Sequence, residues 1–321
     1  MKTLVLTRSE VERLAEMELA IAAVESAFAA FGRGEATMPA KVYLPIEDHD
    51  GDFRAMPARL GASAGIKWVN VHKHNRERHG LPTVMGVYVL NDPANAFPLA
   101  VMDGTSLTAL RTGAAAGVAS KHLASAAPGS IAFIGCGVQA RTLHAAHRVV
   151  FGDFESLVHD RNAEAASQFA SEIGGRVVSL ETAAAADIVC TATPARVPFL
   201  ESGWITPGAH INAMGADAPG KQELAPGVLR AADVYIDDIH QAEGSGEINV
   251  PLACGDFAID DIAGTLGEVV AGLLPRPAAT VTTVFDSTGL AIQDLALARS
   301  IYDAARARGL GIEIDLVGLG E

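Results

Sequence analysis

Cysteine is scarce in this chain of 321 residues. Its three cysteines, Cys136, Cys190 and Cys254, are an odd number without paired metal-ligand spacing, which argues against a disulfide framework or a cysteine-built zinc site. A reducing cytoplasm is the expected compartment. No uninterrupted apolar run reaches membrane-spanning length. The start, MKTLVLTRSEVERL, carries Arg8, Glu10, Glu12 and Arg13 where a signal peptide needs an apolar core, so no export signal is expected. Basic residues are also in the minority, 24 Lys and Arg against 38 Asp and Glu. The resulting net charge of -14 disfavours nucleic acid or an anionic membrane as partner, because both need clustered cations. His72 and His74, in VHKHNRERH, stand among charges as solvated loop histidines do, and no metal site is expected.

What is present is an ordinary globular composition, 49% hydrophobic with 32 Gly and 15 Pro, in a chain long enough for two domains. Residues 10 to 33 carry Val11, Leu14, Met17, Ala20, Ile21, Val24, Phe28 and Phe31 at helical spacing, closed by Gly32 and Gly34, which predicts one amphipathic helix. From about 40 to 102 short extended runs such as KVYLPI, GIKWVNV and TVMGVYVLN alternate with turn residues and predict an antiparallel sheet. LTALRTGAAAGVASKHLASA reads as a tightly packed helix that APGS breaks. Beyond it strands and helices alternate through SIAFIG, SLVHD, RVVSL, ADIVCTAT, HINAMG, VYIDD and TVTTVFD, the pattern of a doubly wound parallel sheet. The last segment, GLAIQDLALARSIYDAARARG, is helical, and GIEIDL is a possible final strand. The expected organisation is an α/β protein: residues 121–288 as the parallel-sheet domain, and 1–120 with 289–321 as a discontinuous α+β domain.

In SIAFIGCGVQA a buried-strand pattern runs directly into Gly135, Gly137 and Ala140, a G-x-G-x-x-A at a strand-to-helix turn. Gly135 permits the tight turn, Gly137 lets a pyrophosphate approach the backbone, and Ala140 permits close helix packing. The next strand ends in Asp160, twenty residues after Ala140, where a carboxylate accepts from the ribose hydroxyls of a dinucleotide. This is a Rossmann fingerprint, and Asp160 favours NAD because it would repel a 2′-phosphate. Arg161 beside it could relieve part of that repulsion.

Lys41, Arg54, Lys67 and Arg111 stand in apolar surroundings in the first domain. Each alone reads as a side chain snorkelling to water from a strand edge. Together they could converge on a carboxylate, and a desolvated lysine among them could act as acid or base. Asp217 follows the strand at 210–214, at the end where ligands of parallel sheets bind; it either touches a ligand or caps the next helix. Ser287 and Thr288, in FDSTGLAIQD, carry the same ambiguity between helix cap and nicotinamide contact.

The motifs MPAKVYL, RAMPA, GIKWVN, GLPTVM, FPLAVMDG, LRTGAAAG, FIGCGVQA, HINAMGADAPGKQEL, GEINV and FDSTGLAIQD, in this order, resemble the ornithine cyclodeaminase and mu-crystallin family over essentially the whole chain. Within it they look like the archaeal-type alanine dehydrogenases. The resemblance implies a homodimer that binds NAD and deaminates L-alanine reversibly to pyruvate and ammonium. It implies Lys67 as catalytic acid or base, Arg111 with Lys41 on the substrate carboxylate, Asp217 assisting water or the substrate amine, and Thr288 lining the pocket. Cofactor contacts would fall on Thr83, Arg111, Gly135, Gly137, Val138, Gln139, Asp160, Arg161, Thr193, Ile211, Asn212, Ala213, Met214, Lys221 and Ser287. Cyclodeaminases of the family place a glutamate before their Met-Pro dipeptide for a distal ammonium. Here Arg54 stands in that context, as in the dehydrogenases, pointing to a shorter neutral amino acid or its keto acid, unless Glu47 or Asp52 supplies the missing charge. The rival activities are ornithine cyclisation to proline, cyclic ketimine or imine reduction, and ligand carriage without turnover.

Overall fold

The computed structural model describes residues 1–318, and the chain divides into two compact units, Met1–Arg111 with Leu290–Glu321, and Thr112–Gly289. The division falls inside the helix Gly104–Leu123.

In the first unit the strands, in spatial order, are Ile312–Ile314, Thr3–Leu6, Pro98–Asp103, Val84–Asn91, Ser63–His72, Gly51–Leu60 and Ala36–Thr37, with Val42–Ile46 also on Gly51–Leu60. Neighbours are antiparallel except Thr3–Leu6 with Pro98–Asp103. The tail strand Ile312–Ile314 pairs with the first strand of the chain, so the chain closes on its own beginning. The helix predicted across 10–33 is two helices, Arg8–Leu14 and Met17–Gly32. Ala15 and Glu16 leave helical backbone between them, with ψ of 73 and 146. Leu14 and Met17 keep the i, i+3 spacing across the break, so periodicity alone does not reveal it.

Alternation along the strands sorts this sheet into two faces. Met56, Lys67, Tyr88 and Met102 are register partners across four strands and all are buried beneath helices. The helix Ala291–Arg308 packs over this face and on Met17–Gly32. One residue on, Val42, Ala55, Trp68 and Val87 form a second row. Val42, Trp68 and Val87 of that row are exposed, with Phe53 stacked on Trp68.

The second unit is an all-parallel sheet in the order Arg176–Val177, Glu155–His159, Ser130–Ile134, Ile188–Thr191, His210–Ala213, Thr283–Asp286, Asp233–Ile236 and Ile262–Thr265. Four consecutive buried residues in each of Ile188–Thr191, His210–Ala213 and Thr283–Asp286 show a sheet covered on both faces. The expected strand at 280–286 begins only at Thr283. Ile262–Thr265 is an added edge strand that the sequence pattern does not announce. Among the described residues no helix is long and apolar enough to cross a membrane.

Candidate active site

The strand order reverses at Ser130–Ile134, which lies between Glu155–His159 and Ile188–Thr191. Ligands of such sheets bind in the crevice at that switch point, outside the carboxyl ends of the strands. Gly135 sits there at φ +95, and a Cβ on it would lie 2.7 Å from the Ala192 carbonyl oxygen and 2.8 Å from Thr193 Cγ2. Gly137 opens the helix Val138–Phe151 with no side-chain cap, and a Cβ there would meet nothing within 4 Å. The first-turn N–H groups therefore face an open approach, as a pyrophosphate requires. Asp160 is held at the same turn: one oxygen accepts from the Cys136 N–H at 2.7 Å and the other from the Asn162 N–H at 2.8 Å. Val138 and Arg161 are exposed, while Gln139 and Thr193 are half-buried. Burial and the Asp160 charge push the Cys136 thiol up to about 12, so it stays protonated and unreactive at neutral pH.

Because Gly135 combines left-handed backbone with a packed neighbour, Gly135→Ala is expected to destabilise the protein by about 1–3 kcal/mol. It should also weaken dinucleotide binding at least tenfold. Thermal melts and a titration of NADH fluorescence measure both effects, and wild-type values in both would refute this role.

Further loops at the carboxyl edge of the same sheet are pinned by carboxylates, half-exposed Asp217 and buried Asp237. Asp217 pairs with Lys221, whose Nζ also donates to the Gly215 carbonyl oxygen at 3.2 Å. It caps no helix, since Pro226–Arg230 begins at Ala225. Thr288 donates its N–H at 2.7 Å and its hydroxyl at 2.8 Å to Asp237. The helix Ala291–Arg308 has Leu290 at its N-cap, so neither Ser287 nor Thr288 caps it. Ile211, Asn212, Ala213 and Met214 are buried, and the Asn212 amide serves the core by donating to Ser120 Oγ at 2.8 Å.

Three carboxylates that the sequence reading passed over form a relay. Glu223 accepts from the Thr191 and Thr193 hydroxyls and from the N–H groups of Thr193 and Gly215. Glu247 accepts from the N–H groups of Glu223 and Leu224. Asp286 accepts from those of Glu247 and Ile248. Asp286 thus holds the backbone of Glu247, and Glu247 that of Glu223.

In the first unit Lys67 and Arg111 both lie against the Asp294 carboxylate. Lys67 is fully buried, and its Nζ donates to Asp294 Oδ2 at 2.7 Å. Arg111 Nε lies 3.3 Å from Asp294 Oδ1, without hydrogen-bond alignment, while Arg111 Nη1 donates to Gln293 Oε1 at 3.1 Å. Burial, opposed by Asp294 and reinforced by the charges of Arg111 and Lys41, brings the Lys67 amine down to about 7. Arg54 is on the same sheet face but is clamped by Asp52, Nε to Oδ1 at 2.8 Å and Nη2 to Oδ2 at 3.1 Å, and lies over the Tyr43 ring. Its charge is matched, so Arg54 by itself does not decide against a distal ammonium. Thr83 precedes the strand Val84–Asn91, where its carbonyl accepts from the His72 N–H.

A doubly wound parallel sheet with an open glycine turn, joined in one chain to a sheet that buries a lysine among cations, defines a Rossmann-fold protein with a separate α+β unit. The chain belongs to the ornithine cyclodeaminase/mu-crystallin family, whose model matches residues 1–309. Alanine dehydrogenase of Archaeoglobus fulgidus is 47% identical over 320 residues, 98% of each chain. Ketimine reductase mu-crystallin of Rattus norvegicus is 34% identical over 303 residues, 91% of this chain and 94% of its own. The structure of an archaeal alanine dehydrogenase dimer with bound NAD matches with a TM-score of 0.95 at 46% identity, covering 98% of this chain and 100% of that one.

Proposed function

We propose that the protein is an NAD-dependent amino acid dehydrogenase that converts L-alanine, NAD and water reversibly to pyruvate, ammonium, NADH and a proton. The observation that carries this reading is the buried Lys67 amine, lowered to about 7, which shares the Asp294 carboxylate with Arg111. A group with that proton affinity exchanges protons at neutral pH, and a guanidinium grips a carboxylate through two hydrogen bonds. The 47% identity to an alanine dehydrogenase supports alanine among the amino acids.

NAD fits the glycine turn, the uncapped helix start and Asp160. The residues of the second unit that would hold it are Gly135, Gly137, Val138, Gln139, Asp160, Arg161, Thr193, Ile211 to Met214, Lys221 and Ser287. When bound, its nicotinamide supplies the acceptor for the hydride of the substrate α-carbon. Arg111 and Lys41 fix the substrate carboxylate, and Arg54 with Asp52 and Thr288 shapes the side-chain space. Lys67 takes and returns protons as water adds to the substrate iminium, and Asp217 orients that water. The exposed apolar row of Val42, Trp68 and Val87 supports a second copy of the chain as partner in a homodimer.

The test is NADH absorbance after mixing the purified protein with NAD and L-alanine, with parallel reactions of L-ornithine assayed for proline and of a cyclic ketimine with NADH. Net NADH from alanine is the expected outcome. Proline without net NADH, or NADH consumption by the ketimine alone, overturns the alanine reading in favour of a cyclodeaminase or a reductase.

A further inference from the structure

We infer that Asp294 is a positioning residue that holds Lys67 and Arg111 at one point and sets the charge of the Lys67 amine; this rests on the reading of Lys67 as the proton-exchanging group. By sequence Asp294 is an unremarked acid in the first turn of the helix Ala291–Arg308. Such an acid usually faces water, where it interacts favourably with the helix dipole. Here it is fully buried, 227 residues from the lysine it contacts.

The surroundings explain why the carboxylate is needed. Lys67 occupies a row whose other members, Met56, Tyr88 and Met102, are buried, so its sheet neighbours provide no countercharge. The largest charge effects on it come from Asp294 of the terminal helix, Arg111 of the helix Gly104–Leu123, and Lys41 ahead of the strand Val42–Ile46. Asp294 is the anion against two cations. Gln293 and Asp294 together form a fork for Arg111: the Gln293 carbonyl oxygen takes Nη1, and the Asp294 carboxylate lies beside Nε. Tyr88 Oη and Gln293 Nε2 are buried without hydrogen-bond partners among the described residues, and the Asp294 charge acts on Tyr88 as well. Polar atoms this deeply buried keep their geometry only where charges meet partners, and Asp294 gives Lys67 and Arg111 a shared negative one. The return of the chain to its first unit thus has a chemical consequence, because the helix that closes the fold also carries the acid to the lysine.

The test uses full-length protein with lysine labelled at 13Cε and 15Nζ, whose six lysines make the Lys67 resonance assignable by its loss in Lys67→Arg. Asp294→Asn should move the Lys67 titration midpoint down by at least one pH unit, since the interaction that favours its charged form is gone. It should also lower kcat for alanine oxidation at least 100-fold, with a far-UV circular dichroism spectrum matching wild type as the check on folding. An unmoved Lys67 midpoint in folded Asp294→Asn overturns the inference, whatever the rate. The NMR arm does not depend on alanine being the substrate. Wild-type inactivity with alanine therefore defeats the proposed function alone, while an unmoved midpoint with normal wild-type turnover defeats this inference alone. If Asp294→Asn does not fold, Asp294→Glu carries the test: displacing the carboxylate by one methylene should shift the midpoint, and identical midpoints in variant and wild type overturn the assignment.

Discussion

Replacing Lys67 with alanine is expected to lower turnover by roughly 10²- to 10⁴-fold, the usual contribution of a positioned acid or base, while NAD affinity stays within about twofold. The separation of effects follows from the architecture. Lys67 lies on the strand Ser63–His72 of the first unit, whereas the glycine turn and Asp160 belong to the second. The pH dependence makes the expectation sharper. With an amine at about 7, alanine oxidation in the wild type should rise through neutral pH as Lys67 becomes a neutral base. Reductive amination of pyruvate should lose rate over the same interval as the protonated acid disappears. Lys67→Ala should remove both limbs. Steady-state kinetics in the two directions from pH 5.5 to 9 provide the check; near-wild-type kcat, or a variant that keeps the limb near 7, sinks the role of Lys67.

The parts of this site that could be read in sequence are those whose chemistry is local. Gly135, Gly137 and Ala140 advertise themselves because a buried strand runs straight into them, and Asp160 because a second strand ends there. Lys67 was visible as a charge amid the alternation of GIKWVN, although alternation alone allows snorkelling as well as burial. Asp294 and Gln293 carry no such signal. In GLAIQDL they look like any polar first turn, and only the packing of Ala291–Arg308 over the sheet brings them to Lys67 and Arg111. Glu223 and Glu247 lay in plain view within KQEL and GEINV, but an acid whose partners are backbone N–H groups of distant loops has no recognisable spacing. Arg54 shows the converse case. The sequence offered Glu47 and Asp52 as carboxylates near it, and its partner is Asp52, two residues before it on the same strand.

Removing the carboxyl group of Asp286 should alter how stability responds to pH. Burial and the nearby charges of Asp237 and Glu223 raise Asp286 from 3.8 to about 7. The folded protein therefore holds this proton between about pH 4 and 7 while the unfolded chain releases it, and the contribution of Asp286 to stability falls as pH rises through that window. A shift of about three units corresponds to roughly 4 kcal/mol at most. The total stability need not follow this slope, because His147 and His210, lowered by burial to about 4 and about 3, act in the opposite sense as pH drops below their ordinary range. The difference between wild type and Asp286→Asn isolates the acid. At pH 5 the variant should be less stable by about 1–3 kcal/mol, since the Glu247 and Ile248 N–H groups meet different oxygens of the acid and one of them would face the amide NH2 instead. Towards pH 7.5 the gap should close or reverse, because the wild type must then either keep a costly proton or bury a charge beside Glu223 and Asp237. Urea unfolding of both proteins at pH 5, 6, 7 and 7.5 measures the gap directly, and a gap that stays constant across the series would mean that Asp286 titrates normally in the folded state.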